Sequence, residues 1–568
     1  MGERRFVVEL IKPSHYDDDG YVIQWRKSWI PSNSLACVYA LAEDVAARRA
    51  LGADVAFDIS AYDECHTVIP VRRIVRRIAE AGAGLVCLVG VQSNQFPRAI
   101  DLAARFRAAG IAVAVGGFHV SGCLAMLPEL PPDLRAAQEL GVTLFAGEAE
   151  GRLERLFADA FAGRLAPIYN HMDDLPALQQ QITPFLPVEI VRRYGESLGA
   201  FDAGRGCPFQ CSFCTIINVQ GRKSRWRDAD DVERLVRANI AQGVYRFFIT
   251  DDNFARNRNW EAIFDRLIEM REREGLNLQF IIQVDTLCHR IPHFVEKAAR
   301  AGCKRVFVGL ENINPDNLQH VKKKQNRVHE YRRMFLAWRA QRVITYAGYI
   351  LGFPGDTPER IARDIRTVQQ ELPIDLLEFF ILTPLPGSAD HKHLHADGTW
   401  MDPDMNKYDL EHVTTGHATM SAAEWQQAYR TAWDLYYSRE HIERLLRRAK
   451  ASGIKPVRLV NHIVQFYFTF LQEGVHPLQG GYFRRKLRSQ RRSGLPRENP
   501  LAFYPRRLWE IADTHCRLAA FYLALHRIRR RVERDPRPYT DPALQDLVIE
   551  PPERVERAMS PALIQAAE

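Results

Sequence analysis

Three cysteines fall within eight residues in Gly204-Arg205-Gly206-Cys207-Pro208-Phe209-Gln210-Cys211-Ser212-Phe213-Cys214, three residues separating the first pair and two the second. Thiolates grouped so closely suit metal chemistry. A structural zinc normally takes four protein ligands, and no nearby Cys or His pair completes the set. A disulfide would leave one cysteine over, in a chain that otherwise reads as cytosolic. Three cysteines can hold a four-iron cluster and leave one iron open to an outside ligand, although ordinary ferredoxins space theirs differently. Zinc, or coincidence, is the plainer alternative. The preceding run, Ser197 to Phe201, reads as a strand end, and Gly204 and Gly206 supply turn positions at little steric cost. The cysteines therefore sit on a loop after a strand.

Cys-x3-Cys-x2-Cys resembles the signature of the radical S-adenosylmethionine (radical SAM) enzymes. The resemblance implies a 4Fe-4S cluster on Cys207, Cys211 and Cys214, with SAM bound to the open iron. It further implies an external reductant such as flavodoxin or ferredoxin, and cleavage of SAM to a 5'-deoxyadenosyl radical that takes hydrogen from a substrate. Phe213 matches the family's frequent aromatic before the last cysteine.

The elements that would position this loop alternate. Helices are expected at 230–242, 260–274, 293–301, 328–339 and 358–371, with strands between them at 245–250, 278–284, 305–310, 345–351 and 376–382. With the strand before Cys207 that makes six units, a partial (β/α)6 barrel over 196–400, whose chemistry belongs at the C-terminal strand ends. Those ends are polar: Thr250-Asp251-Asp252-Asn253, Gln283-Val284-Asp285, Gly309-Leu310-Glu311-Asn312 and Gly352-Phe353-Pro354-Gly355. The resemblance implies SAM contacts among Phe213, Thr250, Asp251, Asp252, Gln283, Glu311 and Gly352. The second strand ends in TDDNF instead of the family's commoner Gly-Gly-Glu.

Residues 1–165 also alternate, with strands at 6–11, 53–59, 85–90, 111–115 and 142–146 and helices at 34–50, 71–81 and 96–109. This predicts a doubly wound, parallel, Rossmann-like sheet with its crevice at the strand C-terminal ends. No G-x-G-x-x-G follows any strand, so a dinucleotide is not supported. Gly116-Gly117-Phe118-His119 and Gly147-Glu148-Ala149-Glu150 instead resemble the cobalamin-binding domain that precedes many radical SAM domains. Gln92, Ser93, Asn94, Gly116, Gly117, His119, Gly147 and Glu148 are the cobalamin contacts this implies. The Asp-x-His-x-x-Gly of cobalamin mutases is missing; Asp63-Glu64-Cys65-His66 has the wrong spacing. The plainer readings are turn glycines, a hydrogen-bonded His119, and Glu148 as a cap for the helix beginning near Glu150.

Residues 166–195, with four prolines, read as a linker, and 401–568 as a mostly helical extension. There 422–437, 441–450, 457–472 and 507–534 are expected helices, the third rich in aromatics. The runs Arg484-Arg485-Lys486, Arg491-Arg492 and Arg529-Arg530-Arg531 read as a solvated face, with peripheral contact to an anionic lipid surface as the alternative. The 568 residues are 46% hydrophobic and 26% charged with net charge +8, ordinary globular composition spread through the chain. No nucleic-acid partner, signal peptide or membrane span is expected, and a cytoplasmic location is. The function expected is cobalamin-dependent radical SAM methylation of an unactivated carbon in a small-molecule, lipid or peptide substrate. The alternatives are a radical cyclisation, oxidation or rearrangement without methyl transfer, or a non-catalytic cluster or cobalamin sensor.

Overall fold

The computed structural model describes residues 4–545; the remaining ends of the ranges 1–165 and 401–568 lie outside the described residues. Two parallel six-stranded sheets organise the chain. The first holds β1 (Arg4–Lys12), β2 (Val55–Asp63), β3 (Gly84–Leu88), β4 (Ala112–Gly116), β5 (Thr143–Ala146) and β6 (Ile168–Asn170), in the order β2-β1-β3-β4-β5-β6. Its central strands are buried on both faces, which is why they read as continuous apolar runs. β6 lies inside the segment expected to be linker: Ile168, Tyr169 and Asn170 continue the parallel ladder beside β5.

The second sheet holds β7 (Leu198–Phe201), β8 (Arg246–Ile249), β9 (Gln279–Val284), β10 (Cys303–Glu311), β11 (Ile344–Leu351) and β12 (Leu376–Ile381), ordered β12-β11-β10-β9-β8-β7. Consecutive parallel strands joined by helices make the partial barrel, and all six C-terminal ends point to one mouth. The two units dock closely. A Cβ on Gly122 would come within 2.5 Å of the Pro386 carbonyl oxygen, so the helix Phe118–Met126 can approach the β12 loop only with glycine there.

The C-terminal helices wrap the barrel. Ala422–Tyr436 packs on β12, with Trp433 against Phe379. The stretch expected as one helix over 457–472 is helical throughout, Pro456–Ile463 and Thr469–Glu473 being continuous through a wide π-helical turn at Val464–Phe468. Such wide turns are single-turn insertions that helical periodicity does not reveal. The last helix starts at Pro500, earlier than expected, because Asn499 caps its first turn and Pro500 suits that position. Arg484, expected in a solvated run, is buried and pairs with Asp17 at 2.8 Å. Its strand, Gly481–Arg485, pairs antiparallel with Gln24–Ser28, so early and late residues clasp each other.

One barrel residue carries a measurable penalty. Glu378 on β12 is fully buried, and neither carboxylate oxygen has a hydrogen-bond partner. His476, stacked on Phe380, leaves its Nε2 3.9 Å away, too far to donate. Burial pushes Glu378 from 4.5 up to about 8. The folded protein therefore holds a proton the unfolded chain loses, and this contribution to stability falls as pH rises from 4.5 to about 8. Thermal melts at pH 5.5 and 8.5 check this: wild type should lose more stability with rising pH than Glu378→Gln. Equal pH dependence would show that Glu378 does not titrate in this window.

Candidate active site and corrin crevice

The cysteine loop leaves Gly204–Arg205, which pairs with Arg225–Trp226. Gly206 has φ +84°, and a Cβ there would lie 2.5 Å from the Lys223 carbonyl oxygen, so the turn into Cys207 requires glycine. Cys211 is buried, Cys207 and Cys214 partly so. The three thiols sit within electrostatic reach of one another, with Cys211 acting on both others, and Asp252 acts on Cys207 and Cys214. Burial raises the Cys207 thiol and pushes Cys214 up to about 12, so iron ligation would release protons here. Among the described residues no three His, Cys, Asp or Glu side chains are close enough to hold a single metal ion.

Two residues of a charged run supply what cysteine spacing could not show. Lys323 is buried, pairs with Glu311 and lies 5.7 Å over the Phe213 ring. The Gln325 side-chain amide lies 3.5 Å from the Cys211 sulfur. Nothing in the sequence marks Lys322-Lys323-Lys324-Gln325; only its tertiary placement brings a cation to the cysteine loop.

The strand ends divide into two groups. Asp252 is reached by solvent yet lies deep in the mouth, where surrounding protein raises it to about 7. Gln283 donates to the Asp251 carbonyl at 3.3 Å, and Thr250, Glu311 and Phe213 are at the same end of the barrel. Asp251 is already engaged. Its carboxylate accepts from Ala203 N at 2.7 Å and Asn257 Nδ2 at 2.9 Å, latching β8 to the start of the cysteine loop. Gly352, at φ +103°, backs onto Trp425, whose ring would lie 1.8 Å from a Cβ. Its glycine is explained by packing.

In the first sheet a cavity of about 170 Å³ opens at the ends of β3, β4 and β5. Gly116, Gly117, Gly147 and Glu148 line it, together with Arg205 and Gln220 of the barrel unit. Gly117 is required: at φ +145° its Cβ would lie 2.1 Å from Val91 N. Gln92, Ser93, Asn94 and His119 do not line this cavity. His119 is buried behind the crevice, its Nδ1 3.2 Å from Ser93 Oγ and its Nε2 2.8 Å from Asp133. Both ring nitrogens are occupied, so no imidazole is offered to a metal. His119→Gln should leave the visible spectrum of bound hydroxocobalamin unchanged; a ligand-field shift would place this ring on cobalt. Glu148 does not cap the following helix, because Arg205 at 2.6 Å and Arg225 hold it across the interface.

Residues 203–368 match the family model of the Radical SAM superfamily. This part of the chain is a radical SAM domain. The chain is 27% identical over 315 residues to bacteriochlorophyllide d C-12(1)-methyltransferase of Chlorobaculum tepidum, covering 54% of this chain and 65% of that relative. It is 25% identical over 316 residues to hopanoid C-2 methylase of Rhodopseudomonas palustris, covering 55% and 57%. The chain thus spans less than two thirds of either relative. Among solved structures, the radical SAM methyltransferase TsrM of Kitasatospora setae, with cobalamin and a [4Fe-4S] cluster bound, superposes at TM-score 0.56. That match covers 81% of this chain and 97% of TsrM at 15% identity. The cobalamin-dependent radical SAM enzyme OxsB gives TM-score 0.54 at 12% identity, covering 93% of this chain and 83% of that one. These two likenesses establish a shared fold. No helix among the described residues is long and apolar enough to cross a membrane.

Proposed function

We propose that the protein is a cobalamin-dependent radical SAM enzyme that methylates an unactivated carbon. One observation carries this reading: the glycine-lined cavity and the cysteine loop share a wall. Arg205 lines the cavity, and Cys207 follows it by two residues. When bound, the cluster and SAM would supply a one-electron route to a carbon radical, and the corrin a transferable methyl group.

The chain's own groups fit these roles. Cys207, Cys211 and Cys214 would hold the iron, and Lys323 would offset the cluster's negative charge. Asp252, Thr250 and Gln283 present acceptors and donors at the mouth for the amino group and ribose of SAM. Gly116 and Gly147 keep side chains out of the crevice, and Glu148 with Arg205 fixes the distance between the two cofactor sites. With His119 engaged elsewhere, cobalamin would bind without a histidine from this domain beneath it. Arg205, Cys211 and Lys323 are buried here, which would limit water at the reacting centre. The relatives that bear the name methyltransferase or methylase support transfer of carbon over the other radical reactions.

Anaerobic reconstitution with iron, sulfide and hydroxocobalamin, followed by desalting and metal analysis, tests the reading. About four iron and one cobalt per chain are expected, with 5'-deoxyadenosine released from SAM under reduction. Four iron without cobalt would remove the basis for methyl transfer. Failure to release 5'-deoxyadenosine would leave a sensor.

A further inference from the structure

The N-terminal ends of the barrel strands, opposite the cysteine loop, carry a second pair of cavities. The smaller, about 290 Å³, lies among the first residues of β7, β8, β9, β10 and β11. Four cations border it: Arg246, Lys304, Arg305 and Arg458. One carboxylate opposes them, Glu196, whose Oε2 is 3.3 Å from Arg305. Lys304 and Arg458 have no carboxylate within salt-bridge distance among the described residues. Burial and the nearby Arg271 and Arg458 together lower the Lys304 pKa, as uncompensated positive charge would. His462 is held neutral by burial and by Arg305 and Arg458, at about 3.

The larger cavity, about 960 Å³, adjoins the first and shares Glu196, Asn461 and His462 with it. Its walls are apolar and aromatic: Phe468, Tyr482 and Phe483 on one side, Ile511, Leu518 and Tyr522 on the other. The last three form one stripe of the helix Pro500–Arg534, at the spacing of a helix face made for burial. That helix runs 35 residues with Phe503, Leu525 and Val532 alone fully buried, so the stripe spans open space. Leu508 and Trp509, 69% and 66% exposed, continue the apolar surface at its outer end. Arg484 on the larger cavity pairs with Asp17 at 2.8 Å and Arg507 with Glu510 at 3.0 Å, while Arg26 has no carboxylate within salt-bridge distance among the described residues.

We propose that the two cavities form one binding site for a phosphate-headed lipid, distinct from the SAM and corrin crevice. The head would sit among Arg246, Lys304, Arg305 and Arg458, where guanidinium groups match phosphate oxygens in pairs. The apolar chain would lie along the Ile511, Leu518 and Tyr522 stripe and take that surface out of water. The combination is what selects the ligand. A free anion would leave the aromatic cavity unfilled, and a neutral lipid would leave four cations facing one carboxylate. The size of the larger cavity falls in the range of built small-molecule sites.

Calorimetric titration of the full chain with 1-oleoyl lysophosphatidate, below its micelle concentration, tests this. One saturable site per chain is expected, with monoolein at least about tenfold weaker and inorganic phosphate without measurable saturation. Arg458→Glu and Arg246→Glu alter exposed side chains, so folding should be unaffected, and unchanged thermal melts would confirm that. Each should weaken lysophosphatidate by about tenfold or more and leave monoolein binding as it was. Tyr522→Asp should weaken both lipids. No saturable site, equal affinity for monoolein, indifference to both arginine changes, or tight binding of phosphate alone would overturn the proposal.

Discussion

Cys211→Ala should yield a folded chain that cannot hold its iron: after reconstitution, iron falls from about four per chain to background. The broad visible absorbance of a thiolate-ligated cluster is lost with it, as is reductive release of 5'-deoxyadenosine. The side chain is 7% exposed and engages Gln325 through one long contact, so removing a single sulfur costs on the order of 1 kcal/mol of folding stability. Stability and chemistry therefore separate in this variant. Cobalt content should be unchanged, since Cys211 does not border the corrin crevice. A cluster retained at full stoichiometry would mean that Cys207 and Cys214 bind it with some other group, and the three-cysteine assignment would fall. Cys288→Ala is the control: that thiol is buried with Asp285 and Trp338 as its neighbours, and iron should stay bound.

The parts of the fold that could be read from sequence are those with one dominant local cause. Val71–Ala81 and Pro358–Glu371 have the expected bounds, because each has apolar residues on a helical period and an N-terminal proline or cap. The barrel strands were legible as short β-branched and apolar runs ending in polar clusters. The turn at Val464–Phe468 was not, since an inserted helical residue leaves no mark in periodicity. The same division runs through the site. Cys207, Cys211 and Cys214 announce themselves by spacing. Lys323 and Gln325 do not, because their burial comes from elements that meet only in three dimensions. Asp251 and Asp252 are neighbours of one type with different environments: one is a latch on backbone amides, the other opens toward the thiols. Sequence could propose both and could not tell them apart. His119 illustrates the opposite case, a residue that the resemblance made a cobalamin contact and whose two nitrogens the fold occupies.

The other large effect is expected at Arg205. Its guanidinium donates to Asp202 at 3.0 Å, Glu148 at 2.6 Å and Glu150 at 2.7 Å, and all four side chains are less than a tenth exposed. Burial alone would raise Asp202 and Glu150, but Arg205, joined at Asp202 by Arg227 and Asn33, holds both below the usual carboxylate range. Arg205→Met keeps the volume and removes the charge, leaving buried carboxylates without their shared partner. Breaking one side of a buried pair costs about 3–5 kcal/mol, or a fall of roughly 6–20 °C in the transition that includes this interface. The loss has a pH signature. Depressed carboxylate pKa values stabilise the fold above the unfolded values, and that stability disappears as pH falls through the folded ones. Wild type and variant should therefore differ fully above pH 4.5 and converge only as pH falls below 3.8, where the wild-type carboxylates begin to take up protons in the fold. Calorimetric scans of both proteins across that range read the difference. Adding Glu150→Gln to the variant should recover part of the loss, since Arg225 still holds Glu148 and Arg227 still holds Asp202, and Glu150 is the charge left stranded. Cobalamin retention after desalting gives a second reading, because Arg205 and Glu148 both border the crevice. A variant as stable as wild type at pH 8, with cobalamin still bound, would show that the two cofactor sites are held together by something other than this ion network.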